Sequence, residues 1–174
     1  MELHILHMIQ SWHQEWLSPF MVFFSTIANK GIGWILLCLV LLAIPRTRKC
    51  GWVMACAMLL TLILGEQLLK NLVARKRPCV VDTSVELLIP RPRSYSFPSG
   101  HTANSFAPAV SLFLFYRKPG MIALLIAAVI AFSRMYLFVH YPTDILGGIL
   151  LGTMDAMIVY FCFREKKTET SKLK

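Results

Sequence analysis

Five apolar runs, separated by gaps that hold most of the basic residues, constrain this chain more than any other feature. They cover residues 31–44, 51–69, 101–116, 121–139 and 142–163. A helix needs about 20 apolar residues to cross a bilayer, and inside it every backbone polar group must find a partner within the protein. The runs therefore predict an all-α, polytopic transmembrane helical bundle with five spans. Residues 19–28 are apolar but too short to cross alone. Joined to residues 12–18, they predict either a sixth, tilted span or a surface helix. Ahead of them, Leu3, Leu6, Ile9 and Trp16 follow the period of an amphipathic helix. Trp12 and Trp16 suit the head-group belt.

Composition agrees. Hydrophobic residues make up 56% and charged residues 16%, against about 25% charged in soluble domains. Mean hydropathy is +0.60. One domain is expected over 1–163, followed by a charged, frayed tail at 164–174. The N-terminus has no basic region leading into a short apolar stretch with a cleavage point, so a removable signal peptide is not expected. Four of the five cysteines, Cys38, Cys50, Cys56 and Cys162, lie in or beside apolar runs, and Cys79 falls in a polar loop. No CxxC pair is present, which gives zinc and redox chemistry little support.

The net charge of +9 would raise nucleic acid in a soluble protein. Here the basic residues sit in the gaps, where topology and anionic head groups account for them. Arg46, Arg48 and Lys49 form one group, Arg117 and Lys118 a second, and Arg164, Lys166, Lys167, Lys172 and Lys174 a third. If the helices alternate in direction, all three groups share one face, which should be cytoplasmic. The 71–97 loop and the 138–142 turn then meet on the other face. That loop also carries Arg75, Lys76, Arg77, Arg91 and Arg93. A phosphate site on that side would explain its charge.

Three clusters carry chemistry. Glu66 and Lys70 are four apart in the favourable acid-first order. They read either as an ion pair near the membrane surface or as a lysine that reaches phosphate with Glu66 placing it. In residues 70–78, KNLVARKRP, Arg77 offers a planar fork suited to phosphate oxygens. Arg75 and Lys76 read as anchors to anionic lipid. Next, residues 94–105 read SYSFPSGHTANS. Pro98, Ser99 and Gly100 enter a helix whose first turn leaves N–H groups free for an anion. Gly100 permits close backbone approach, Ser99 can cap the helix, and His101 is placed for general acid chemistry. In residues 133–144, SRMYLFVHYPTD, Arg134 stands in an apolar helix and needs an anionic partner or water. His140 and Asp144 are four apart. The carboxylate can accept one ring N–H and leave the other nitrogen as a nucleophile. Clustered carboxylates for magnesium, an HExxH pattern and a Walker A loop are all lacking, so no metal and no cofactor are expected.

These motifs resemble the signatures of the PAP2, or type 2 phosphatidic acid phosphatase, superfamily. Residues 70–78 match K-x6-RP, residues 98–101 match PSGH, and residues 133–144 match SR-x5-H-x3-D. The resemblance implies a helical fold of the PAP2/haloperoxidase-like type with its site facing away from the cytoplasm. It implies that His140 attacks phosphorus, that Asp144 orients it, and that His101 protonates the leaving oxygen. Lys70, Arg77, Ser99, Gly100 and Arg134 would hold the phosphoryl oxygens. The apolar runs argue against the family's soluble acid phosphatases and vanadium haloperoxidases. The brevity of the chain points to a small enzyme of the bacterial cytoplasmic membrane, acting on a membrane lipid phosphate or diphosphate. Undecaprenyl diphosphate is the first substrate expected; phosphatidylglycerophosphate or a broad range of lipid monophosphates is the second. An inactive lipid-phosphate binder or transporter is the alternative of another class. The bilayer is the expected surrounding, nucleic acid is not a partner, and the oligomeric state is open.

Overall fold

The computed structural model describes residues 1–172, and every regular element among them is helical. In chain order these are α1 (Glu2–Gln10), α2 (Leu17–Ile27), a 3-10 turn (Asn29–Gly31), α3 (Ile32–Ala43) and α4 (Arg48–Thr61). A π-helix (Leu62–Leu69) continues α4 into α5 (Lys70–Val73), and α6 (Pro78–Val81) follows. The last three are α7 (Gly100–Phe115), α8 (Arg117–Tyr136) and α9 (Pro142–Lys172).

The expected all-helical membrane bundle is present, and among the described residues fewer than five helices are by themselves long and apolar enough to cross a bilayer. Three stretches are long and apolar enough to cross a bilayer: Arg48–Val81, Arg117–Tyr136 and Pro142–Arg164. A fourth exists if α2 and α3, bent by 51°, count as one. Two physical reasons explain the difference. Residues 31–44 yield a 12-residue helix, only about 18 Å long, so α3 needs α2 to complete its path. Gly31 lies between them at φ +69°, a left-handed conformation suited to glycine. The second reason is α7, with 16 residues and buried Thr102, Ser105 and Ser111. It packs among α4, α8 and α9, and none of its residues is exposed. A helix sheathed by other helices can be short and partly polar, because it presents no face to lipid. The expected tail begins as a continuation of α9, helical to Lys172; residues 173–174 lie outside the described residues.

Small residues bring α7 and α9 together, as at other membrane helix interfaces. A Cβ on Gly152 would come 2.5 Å from the Ala103 carbonyl oxygen, and one on Gly148 would come 2.8 Å from that of Ser99. Both obstacles are backbone and cannot swing aside. Gly152→Ala should therefore cost about 1–3 kcal/mol, read as a lower unfolding temperature in detergent; an unchanged temperature would contradict this packing. Thr61 donates to Asp155 at 2.7 Å and stitches α4 to α9 inside the bundle. The Trp34 indole donates to Ser105 at 3.1 Å and ties α3 to α7.

The bundle has two distinct ends. At one, the Tyr116 hydroxyl donates to the Arg46 carbonyl at 3.3 Å, and Phe115 meets Tyr160 edge-on. The short basic connections thus sit together, as alternation predicts. At the other end, α1 lies across the bundle. Leu6 and Ile9 are buried against Phe138, Val139 and Tyr141. Gln10 and His13 both donate to the Tyr136 carbonyl, and Thr143 donates to Glu2 at 2.7 Å. Trp12 and Trp16 remain exposed beside this end, at the level where an aromatic belt would lie.

Candidate active site

The site forms where the π-helix, α5 and the start of α7 meet the turn between α8 and α9. A π-helix widens the coil and often marks a functional segment; this one carries Glu66 and delivers Lys70. Lys70 donates to Glu66 at 2.5 Å. Gly100 opens α7 beside them. A Cβ there would collide with the Glu66 carboxylate and lie 3.4 Å from Lys70 Nζ, so glycine is what lets this pair rest against the helix end.

After Val73 the chain leaves the helix through Ala74, at φ +48°. Residues 75–77 carry no helical hydrogen bonding, and Arg77 is extended. Arg75 and Arg77 turn inward while Lys76 is exposed, the alternation of an extended chain. Arg77 is held from two sides. Its Nε donates to the Ser94 carbonyl at 2.7 Å and its Nη2 to the Ser94 hydroxyl at 3.0 Å. Its Nη1 donates to the Val139 carbonyl and to His140 Nε2, both at 2.9 Å.

That last contact identifies the tautomer. A guanidinium can only donate, so Nε2 of His140 presents a lone pair. A neutral ring then carries its proton on Nδ1, which lies 3.5 Å from Asp144 Oδ2. This is ion-pair range but longer than a hydrogen bond, and Nδ1 is buried with no hydrogen-bond partner among the described residues. Burial, tempered by Asp144 and reinforced by Arg77 and Arg134, pushes the His140 imidazole down to a pKa of about 3. The ring is neutral at ordinary pH.

Asp144 is fully buried. Its Oδ2 accepts from the Ser96 hydroxyl at 2.5 Å and the Tyr141 N–H at 2.9 Å, and its Oδ1 accepts from Arg75 at 2.8 Å. Arg134 donates to Ser25, while its Nε is buried with no partner among the described residues. Such an orphaned donor fits an anion arriving from the adjoining cavity.

That cavity holds about 610 Å³. Lys70, Arg77, Arg134, Glu66, Gly100, His101 and His140 all line it, so among the described residues three cations face one carboxylate. Asp144 and Ser99 stand behind the wall. The Ser99 hydroxyl makes no cap for α7 and instead accepts from Thr102 at 2.9 Å. Ser94, Ser96 and Arg75 also belong to the site's framework. All three lie within the sequence motifs, but nothing in the motif spacing gives them a part in the site. The signal for Arg75 was its two-residue spacing from Arg77, visible only once the segment is known to be extended.

The fold and cavity define a multi-pass helical membrane protein whose site gathers cations and histidines around an anion-sized space. The profile of the PAP2 superfamily matches residues 50–168, and the chain belongs to that superfamily. It is 35% identical to the undecaprenyl-diphosphatase of Sulfolobus acidocaldarius over 79% of this chain. The match covers 66% of that protein's length, just under two thirds. Among solved structures, Aquifex aeolicus LpxE superposes with a TM-score of 0.81 at 27% identity, covering 91% of this chain and 94% of that one. The first transmembrane PAP2 type phosphatidylglycerolphosphate phosphatase from Bacillus subtilis gives a TM-score of 0.74 at 27% identity, over 94% of this chain and 84% of that one.

Proposed function

We propose that this chain hydrolyses the terminal phosphate of a membrane lipid diphosphate, with undecaprenyl diphosphate its foremost substrate, through a phosphohistidine on His140. The observation that carries this reading is the cavity itself. A neutral His140, His101 and the cations Lys70, Arg77 and Arg134 all face one space.

In the first step, His140 Nε2 attacks the terminal phosphorus. The N–P bond forms as the bond to the leaving oxygen breaks, and that oxygen takes a proton from protonated His101. Arg77 exchanges its contact with Nε2 for one with a phosphoryl oxygen, joined by Lys70, Arg134 and the N–H groups of the first turn of α7. Ser99 and Gly100 shape that turn, and Glu66 holds Lys70 in place. In the second step, water gives His101 a proton and attacks phosphorus, the N–P bond breaks, and inorganic phosphate leaves. Charge is stabilised by fixed cations throughout, so the scheme assigns no step to a metal.

A second cavity supports a lipid substrate. It holds about 340 Å³ between α3 and α4, lined by Ile35, Leu39, Leu42, Met58 and Leu59. It adjoins the polar cavity at Gly31, Leu62 and Asn104. A phosphate in one and the start of a hydrocarbon chain in the other is the arrangement a membrane lipid would take. The name of the Sulfolobus relative favours a polyprenyl diphosphate. The likeness to a phosphatidylglycerolphosphate phosphatase supports a second reading, a glycerolipid monophosphate substrate. Residues 1–163 act as one catalytic unit in either case. The basic connections at the opposite end support a site on the extracytoplasmic side of a bacterial cytoplasmic membrane, with residues 164–174 inside.

Purified protein in detergent with excess EDTA, assayed in parallel on undecaprenyl diphosphate, phosphatidylglycerophosphate and phosphatidic acid, tests the reading. Full activity in the chelator and preference for the diphosphate are expected. Loss of activity restored by a divalent ion would contradict the chemistry. Preference for a glycerolipid would replace the substrate and leave the reaction class standing. Right-side-out vesicles given substrate from outside should hydrolyse it without permeabilisation; hydrolysis only after permeabilisation would reverse the orientation.

A further inference from the structure

We infer that Arg75, anchored by Glu2 of the N-terminal helix, is a positioning residue that acts on the reaction through Asp144. This rests on the proposed roles of His140 and Asp144 and adds a layer behind them.

Arg75 reads in sequence as a lipid anchor, but its guanidinium is already occupied. Nη1 donates to Asp144 Oδ1 at 2.8 Å and to the Thr143 hydroxyl at 2.6 Å. Nη2 donates to the Glu2 carboxylate. The carbon between them sits 4.0 Å above the centre of the Tyr141 ring, a cation–π arrangement. The backbone takes part too, since the Arg75 carbonyl accepts from Ser96 N–H at 2.8 Å while the Ser96 hydroxyl donates to Asp144. Arg75 is not among the residues that line the cavity, and its guanidinium is committed elsewhere. Its route to the chemistry is Asp144.

The physical need is clear. Asp144 is 0% exposed, and a buried carboxylate requires a cation and a full set of donors. Arg75 supplies the one guanidinium bonded to it among the described residues. Arg77 faces Asp144 from farther away, and His140 lies at 3.5 Å. His140 in turn faces Arg77, Arg134 and His101. With Oδ1 committed to Arg75, Oδ2 is left facing Nδ1 of His140, the ring face opposite the lone pair that attacks. Glu2 fixes the far side of the guanidinium and accepts twice from Thr143, at its N–H and its hydroxyl. The first turn of α1 is thereby joined to the first turn of α9. Helix α1 thus becomes part of the site's support, in addition to covering the bundle end.

The experiment is a double-mutant cycle on the full chain in detergent, with undecaprenyl diphosphate and phosphatidic acid as probes. Arg75→Gln should lower kcat about 10–100-fold, the range for loss of a supporting partner behind a reactive group. KM should stay within about twofold, because substrate contacts are kept. In an Asp144→Asn background the same change should cost less than about twofold, because its route of action is already cut. Arg75→Lys, which keeps the charge but loses the fork, should recover part of kcat. Glu2→Gln should lower kcat a few-fold with the same dependence on Asp144, and it serves if Arg75→Gln does not fold. Losses that multiply across the two backgrounds, or a raised KM with kcat retained, would overturn the inference. So would an inert Arg75→Gln in a protein that Asp144→Asn cripples, and that result leaves the proposed function intact. Parental turnover in both Asp144→Asn and His140→Ala would instead remove the proposed function, and this inference with it.

Discussion

His140→Ala should remove turnover and the covalent intermediate together. His140 Nε2 lies at the cavity wall with a guanidinium 2.9 Å away ready to pass to a phosphoryl oxygen. Alanine leaves the cations of Lys70, Arg77 and Arg134 in place, so binding persists while the group that forms the new bond is gone. The expected loss in kcat is on the order of 10⁵-fold or more, the scale seen when a nucleophile is deleted from a working set. KM changes little. The pH response follows from the same ring. With the imidazole pKa pushed down to about 3, the lone pair is available from mildly acidic to alkaline pH. Falling pH silences attack only as it approaches that value, so an activity limb near neutrality would belong to another group. Rapid quenching with labelled terminal phosphate, followed by peptide mapping, reads both results. Label on residue 140 is expected in the parent protein and absent from the variant. Label retained by His140→Ala with near-parental turnover would assign the nucleophile elsewhere.

How much of this was legible beforehand depends on whether a residue's position follows from local periodicity. The four-residue separations of Glu66 from Lys70 and of His140 from Asp144 predicted contact, and both pairs meet, at 2.5 and 3.5 Å. The second pair spans a turn, so proximity survived while the expected hydrogen bond did not close. The apolar runs announced a membrane bundle, but hydropathy does not reveal which helix the others enclose, so the run at 101–116 yields a helix shorter than a lone span needs. Enclosure within the bundle is why α7 can be short and carry Thr102, Ser105 and Ser111 inward. The π-helix had no sequence signal at all. Arg75 reads as a lipid anchor because nothing in a loop's sequence fixes its backbone; after Ala74 at φ +48° the chain is extended, and Arg75 turns inward with Arg77. Glu2 could not have been placed by any local rule, since its partners lie at Arg75 and Thr143.

His101→Ala should fail in proportion to how badly the leaving group needs a proton. The imidazole lines the cavity one residue into α7, facing Lys70, Arg77, Arg134 and His140. Glu66 lines the same cavity but is paired with Lys70. What His101 can supply is the proton for the departing oxygen, once a phosphate's negative charge has entered and offset the surrounding cations. An alkoxide leaving from a lipid monophosphate is strongly basic and cannot depart unprotonated. A nitrophenolate leaves readily as the anion. Removing the proton donor should therefore cost about 10²–10⁴-fold on phosphatidic acid, the usual range for general acid catalysis. On an aryl phosphate such as p-nitrophenyl phosphate the loss should be about tenfold or less. A lipid diphosphate, whose leaving group is a phosphate monoester, should fall between them. The nucleophile is intact in this variant, so labelled phosphohistidine at residue 140 still forms from the aryl substrate. Its breakdown by water then slows, because the base that activates water is also gone, and label should accumulate in the quench. Equal losses on all three substrates, with no build-up of label, would show that His101 serves only to shape the cavity.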